Sequence, residues 1–354
     1  MSELNPDFRT VDEVAVPEDI QESGWGRGDD ERTLVGIEQR LGDKLEADNE
    51  QVFRNHTTTK PLPKMLEKWN AFQRSKGRYD GSNDLSLLDE FVHGAPLVFH
   101  RQIIGSCVIS NTFRPWVARA MWQVAIQGQP QEYFGRDEFG PNSYAPFAPQ
   151  SYGMARKRAN MRGGDGLYCA PMAESLMQDG VLMCKTPALV QLMSERGFSS
   201  ASDFPEPQGN DGARLYRQFG DWDYIERFRG NLCCKLLESE RVKTADQLWR
   251  LLQEGKPSFV CSMEAIHKVG THPDGFPIHA RNPRDRWAHN MSFHGVFTAS
   301  DGERFFRQCN QSWGENHIYN RKFEEVASSF RSGRLTVQAI GQIAIPPAAP
   351  PAIG

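Results

Sequence analysis

The order of two hydrophobic periods along the chain most restricts its fold. Directly after Gly105-Ser106-Cys107, residues Ile109, Phe113, Trp116, Val117, Ala120, Met121 and Val124 recur at helical spacing. That spacing predicts a buried helix opening at Cys107 and running to about Gly128. Short apolar runs of strand type come much later, over 259–263, 291–298 and 304–309, with Asp301-Gly302 as a hairpin turn between the last two. Helices first and antiparallel strands afterwards make α+β the expected class. Further helices are expected over 31–53 and 63–76, parted by Pro61 and Pro63, over 171–178, and over 244–253 with Thr244 as N-cap. Segments 129–165 and 197–230 read as loops, the former for its Gly, Pro, Asn and Tyr.

By texture the chain divides into an acidic, partly helical N-terminal extension (1–95), a main domain (96–340) and a Pro-rich C-terminal tail (341–354). Residues 1–50 carry 15 Asp/Glu against 5 Lys/Arg, a local net of −10, whereas the whole chain carries −4. The remainder is only mildly basic, which argues against a nucleic-acid partner. The extension and the tail are the segments suited to a protein partner. No run approaches the roughly 18 apolar residues of a membrane helix, and the N-terminus has no apolar signal core, so a cytoplasmic location is expected. Seven cysteines, an odd number with Cys233 and Cys234 adjacent, fit a reducing compartment, so Cys169, Cys184, Cys233, Cys234, Cys261 and Cys309 are expected to be free thiols.

Three segments carry chemistry. A cysteine in the first turn of a helix feels the positive end of the helix dipole, which favours thiolate, and Gly105 and Ser106 leave room for a substrate. Downstream, His289 opens a strand and can serve as general base. The partner strand then delivers Cys309-Asn310-Gln311-Ser312-Trp313-Gly314, in which an amide can accept the imidazole N–H while Trp313 shields that bond from water. His294, five residues along the same strand and so on its opposite face, competes as base.

These segments, in this order, resemble the papain family of cysteine peptidases. The family pattern of Gln followed by Gly-Ser-Cys is met by Gln102 and Gly105-Ser106-Cys107, and its histidine strand, with Gly six residues on, by His289 and Gly295. The Asn-Ser-Trp-Gly motif is approached by Asn310-Gln311-Ser312-Trp313-Gly314. Gly163-Gly164, followed by a helix, is similar to the family's substrate-cleft wall. The resemblance spans about 95–335. It implies a papain-like fold, a helical lobe plus an antiparallel β lobe, behind the N-terminal extension. It also implies hydrolysis of peptide bonds through an acyl-enzyme without a cofactor. The implied roles are Cys107 as nucleophile, His289 as base, Asn310 or Gln311 as orienting amide, Gln102 with the Cys107 N–H as oxyanion donors, and Gly163 and Gly164 as contacts to an extended peptide or protein substrate.

The chain departs from the family at four points. Ile104 stands where the family has a cysteine and Val108 where it has an aromatic residue. Gln102 lies five residues before Cys107, one fewer than usual, and Gln311 occupies the family's amide position beside Asn310. Two other classes are compatible with these departures: a non-catalytic structural or assembly protein, such as a phage virion component, and a hydrolase of peptidoglycan peptides. His267, His272 and His279, spaced by five and seven, match no compact zinc pattern, so no metal is expected.

Overall fold

A computed structural model describes residues 60–94, 107–129, 146–161, 166–183, 186–195, 227–232, 234–284, 288–310 and 317–344. Pro63 opens helix α1 (Pro63–Ser75), a position where its missing N–H goes unused. Strand β1 (Asn83–Asp84) and helix α2 (Leu88–His93) come next, the latter stopped by Gly94 in the left-handed region. Helix α3 (Cys107–Met121) starts on the cysteine and is buried along nearly its whole length. Helices α4 (Ala148–Arg158), α5 (Cys169–Gln178) and α6 (Pro187–Glu195) complete the first half.

The second half is mostly strand. It comprises β2 (Leu236–Val242), helix α7 (Ala245–Gln253), β3 (Ser258–Ser262), β4 (Ile266–Thr271), β5 (Pro277–Arg281), β6 (His289–Thr298), β7 (Arg304–Cys309), β8 (Ile318–Lys322), helix α8 (Phe323–Arg331) and β9 (Leu335–Ile343). The strands form one sheet in the order β2-β9-β3-β6-β7-β8-β5-β4, with β1 pairing β6 off that path. Pairing is antiparallel except between β5 and β8. Helix α3 lies against β6, β3 and β9, so Ile109 and Trp116 share one core with Val260, Phe293 and Val337. The class is therefore α+β, as the order of the two periods predicts.

The expected helices over 63–76, 171–178 and 244–253 form within a residue or two, and Thr244 Oγ1 caps α7 by accepting from the Gln247 N–H at 3.1 Å. The hairpin turn at Asp301-Gly302 also forms, with Gly302 at φ +87°. One loop reading needs correction, because residues 148–158 form α4. That helix is buried on most sides and carries Gln150, Ser151 and Arg156 inside the protein, so it lacks the polar face that periodicity detects. Arg156 is accommodated by donating to Gly166 O at 2.6 Å and Met161 O at 3.2 Å.

Residues 60–94, grouped by sequence with the extension, are built into the main core. Trp69, Leu85 and Leu88 are fully buried there, and Asp89 forms a buried ion pair with Arg114 of α3. Asn83 accepts from Trp69 Nε1 at 2.8 Å and donates to Leu252 O at 2.8 Å. Residues 1–59 and the tail beyond 344 lie outside the described residues.

Candidate active site

Cys107 is the first residue of α3 and fully buried, so its sulfur sits at the positive end of a 15-residue helix. His289 is the first residue of β6, held in register opposite Ser262 of β3. Asn310 directly follows β7, the other neighbour of β6, and its main-chain N–H donates to His317 O at 2.9 Å. The pairing of β6 with β7 brings the two side chains together across 21 residues of sequence: His289 Nε2 lies 2.9 Å from Asn310 Oδ1. An amide oxygen only accepts, so Nε2 carries the hydrogen and the neutral ring keeps its lone pair on Nδ1. Burial draws the His289 pKa down to about 4, with the Asn310 acceptor pulling weakly the other way. At neutral pH the ring is therefore an uncharged base.

The helix start and the strand start are joined through Asn111. Its Nδ2 donates to Cys107 O at 3.1 Å and to Asn290 O at 2.8 Å, linking the cysteine's own residue to the residue after His289. Asn290 in turn directs its side-chain Nδ2 at Cys169 Sγ, 3.0 Å away, and Cys261 Sγ, 3.5 Å away.

Those two sulfurs form a disulfide, which corrects the expectation that both cysteines are free thiols. The bond joins α5 to β3 across 92 residues, with a Cα–Cα distance of 6.2 Å. Neither an odd cysteine count nor so long a spacing could signal that pair, since proximity arises only when α5 folds onto the sheet. Cys107, Cys234 and Cys309 remain thiols, and burial pushes the pKa of Cys309 up to about 12. Asn111, too, escapes sequence reasoning. Ser110, Thr112, Arg114 and Arg119 share its helix, so an asparagine four places after the cysteine does not stand out there as a polar residue.

His294 lies elsewhere. It is fully buried with Nε2 2.8 Å from Ser292 Oγ, and its pKa is held well below the usual value by burial and then by Arg114. Gly295 next to it serves a steric purpose, because a Cβ there would come within 2.9 Å of Asp84 Cα and 3.0 Å of Asn83 O on β1. Asp84 is buried against Arg307 at 3.2 Å and Arg78 at 2.8 Å, and these cations hold its carboxyl at about 2 against the opposing effect of burial. Gln102, Gly163, Gly164 and Gln311 lie outside the described residues.

Among the described residues, His272, Asp301 and Glu303 form a grouping with metal-binding side chains, their ligand atoms within 4.8 Å of one another. The group sits past the far end of β6 from His289, about 30 Å along a ten-residue strand. His272 is already engaged, with Nε2 3.1 Å from Asp301 and Nδ1 accepting from the Asp274 N–H at 3.1 Å. No helix among the described residues is long and apolar enough to cross a membrane.

No family model matches the chain, and no curated protein matches it either. Solved structures do. Xylellain, a cysteine protease from Xylella fastidiosa, aligns at 14% identity over 80% of this chain and 90% of its own, with a TM-score of 0.42. A procathepsin B from Trypanosoma congolense aligns at 11% identity over 81% and 84%, with a TM-score of 0.44. The bromelain protease from Ananas comosus, solved with the E64 inhibitor, aligns at 12% identity over 73% and 98%, with a TM-score of 0.39. Likenesses this distant carry no statement about activity, and the chemistry of the site rests on the chain's own residues.

Proposed function

We propose that the chain is a cysteine peptidase in which Cys107 attacks, His289 moves the proton and Asn310 orients the base. The observation that carries this reading is the 2.9 Å contact between His289 Nε2 and Asn310 Oδ1, which leaves Nδ1 as the basic nitrogen. In the first half-reaction the Cys107 thiol proton passes to His289 Nδ1 and the sulfur bonds to the scissile carbonyl carbon. The resulting oxyanion is met by the Cys107 main-chain N–H and, on the sequence pattern, by Gln102. His289 then protonates the departing amine, leaving a thioester. Water, deprotonated by the same nitrogen, attacks the thioester and releases the acid and the regenerated thiol. The substrate is a peptide or protein in extended form, with Gly163 and Gly164 as its main-chain contacts. No step requires a cofactor.

Burial favours a second reading, in which the fold is retained by a non-catalytic structural protein: Cys107 is fully enclosed and His289 nearly so. Labelling with a thiol-directed epoxide separates the two. A peptidase reacts selectively at Cys107 near neutral pH, and Cys107→Ala abolishes cleavage of a casein or peptide-library substrate. Cleavage undiminished in Cys107→Ala would sink the peptidase reading, and loss of turbidity in a bacterial-wall suspension would redirect it to peptidoglycan peptides.

A further inference from the structure

We infer that Asn111 is a positioning residue that sets the separation of Cys107 and His289, an inference that rests on the peptidase reading above. Asn111 lies one helical turn beyond Cys107 and is fully buried. One nitrogen reaches two main-chain carbonyls, that of Cys107 at 3.1 Å and that of Asn290 at 2.8 Å. Both acceptors belong to regular backbone. The first is fixed by the opening turn of α3, and the second by the pairing of Asn290 with Cys261 in the β3–β6 ladder. The Asn290 side chain, anchored on the Cys169–Cys261 sulfurs, further restrains that stretch of strand. A single amide group therefore spans the gap between the helix that bears the sulfur and the strand that bears the imidazole.

The residue type fits this task. Asparagine offers two N–H donors on one nitrogen, serine offers one donor, aspartate when ionised offers none, and leucine matches the volume with no polar atom. Asparagine is also a poor choice for a helix interior, where its side chain competes with the helical hydrogen bonds. One of its two bonds does return to the carbonyl four residues back, a local contact that any asparagine in a helix can make. The bond to Asn290 leaves the helix altogether and has no such local explanation. His289 is thus gripped at its ring by Asn310, while Asn111 ties the main chain beside it to the main chain of Cys107, so two separate contacts bear on the geometry of the pair.

The test compares the parent with Asn111→Leu and Asn111→Ser, each in the presence and absence of His289→Ala. Two rates are read, peptide hydrolysis per active site titrated by epoxide and alkylation of Cys107 by iodoacetamide as a function of pH. In Asn111→Leu we expect kcat to fall about 100-fold with KM changed less than about 3-fold, the size of effect produced by a displacement of roughly 1 Å between reacting groups. Asn111→Ser should lie between Asn111→Leu and the parent, and supplies the result if Asn111→Leu yields no folded protein. Cys107 alkylation should lose its His289-assisted phase in Asn111→Leu, and adding His289→Ala should then change it little, because both substitutions act through one geometry. The positioning role is overturned if kcat per titrated site equals the parent's, or if the Asn111 effect on alkylation is equally large without His289. A parent that neither cleaves peptides nor alkylates selectively at Cys107 instead removes the peptidase reading, and the positioning role with it.

Discussion

His289 Nε2 and Asn310 Oδ1 meet at 2.9 Å inside the protein, with Asn310 fully buried. That contact fixes the tautomer of the ring. Replacing Asn310 with Ala should therefore lower kcat/KM by about 100-fold, the lower end of what positioned proton transfer contributes. Peptide hydrolysis by Asn310→Ala within a few-fold of the parent would count against an orienting role.

The same site predicts an unusual acid limit. In the proposed mechanism His289 must be uncharged to accept the thiol proton, and burial brings its pKa down to about 4. A base with a lowered pKa remains uncharged to lower pH, so the acid limb of kcat/KM should fall near pH 4 instead of near the ordinary histidine value. Asn310 raises that pKa by accepting from the ring, so Asn310→Ala should move the residual limb lower still. A limb at the ordinary histidine value in the parent would contradict this.

Much of the fold is legible in sequence where one face of an element meets water. Helix α7 alternates buried Leu248, Leu251 and Leu252 with exposed positions, and its N-cap is readable from Thr244. Helix α4 has no such alternation, so its segment reads as loop, and β4 and β5, which carry Gly270 and Pro277 and flank Pro273, show no strand period in the sequence. At the candidate site, Cys107, His289 and Asn310 stand out because their chemistry and order are informative. Asn111 and the Cys169–Cys261 pair do not, because each gains its meaning only from a chain segment more than 90 residues away.

Asp84 ties β1 to the far half of β6, and its ionisation should be visible in stability. Its carboxyl is at about 2 in the folded protein against 3.8 ordinarily. A depressed carboxyl contributes stability that is complete above about pH 4 and is lost as pH falls through 2. The loss should amount to about 2 kcal/mol. Asp84→Asn should remove this pH dependence and, by leaving the partly buried Arg307 without its counter-charge, cost up to about 3 kcal/mol at neutral pH. Urea midpoints for the two proteins from pH 5 to pH 2 test both statements, and parallel curves would refute the first.

Gly295→Ala should destabilise through a backbone clash. The new methyl would meet Asp84 Cα and Asn83 O, neither of which can rotate away, so β1 must move off the sheet. A loss of about 1–3 kcal/mol is expected, with faster amide exchange at Asn83 and Asp84. An unchanged melting temperature would mean that β1 can shift at no cost.

Reducing Cys169–Cys261 should lower stability by about 2–5 kcal/mol, since the bond closes a loop of 92 residues. Denaturant melts of the oxidised protein and of a Cys169→Ala/Cys261→Ala variant measure this, and coincident melts would exclude it.

The same sulfur pair also governs how the protein should be handled at the bench. A reductant keeps the nucleophilic sulfur of a thiol peptidase unoxidised, yet here the reagent has a second target adjoining Asn290, one residue from His289. Activity plotted against dithiothreitol concentration should therefore climb and then decline, with an optimum where Cys107 is reduced and Cys169 is still bonded to Cys261. If the proposed mechanism holds, a sample prepared at saturating reductant would lose activity through the broken disulfide while Cys107, His289 and Asn310 stay intact.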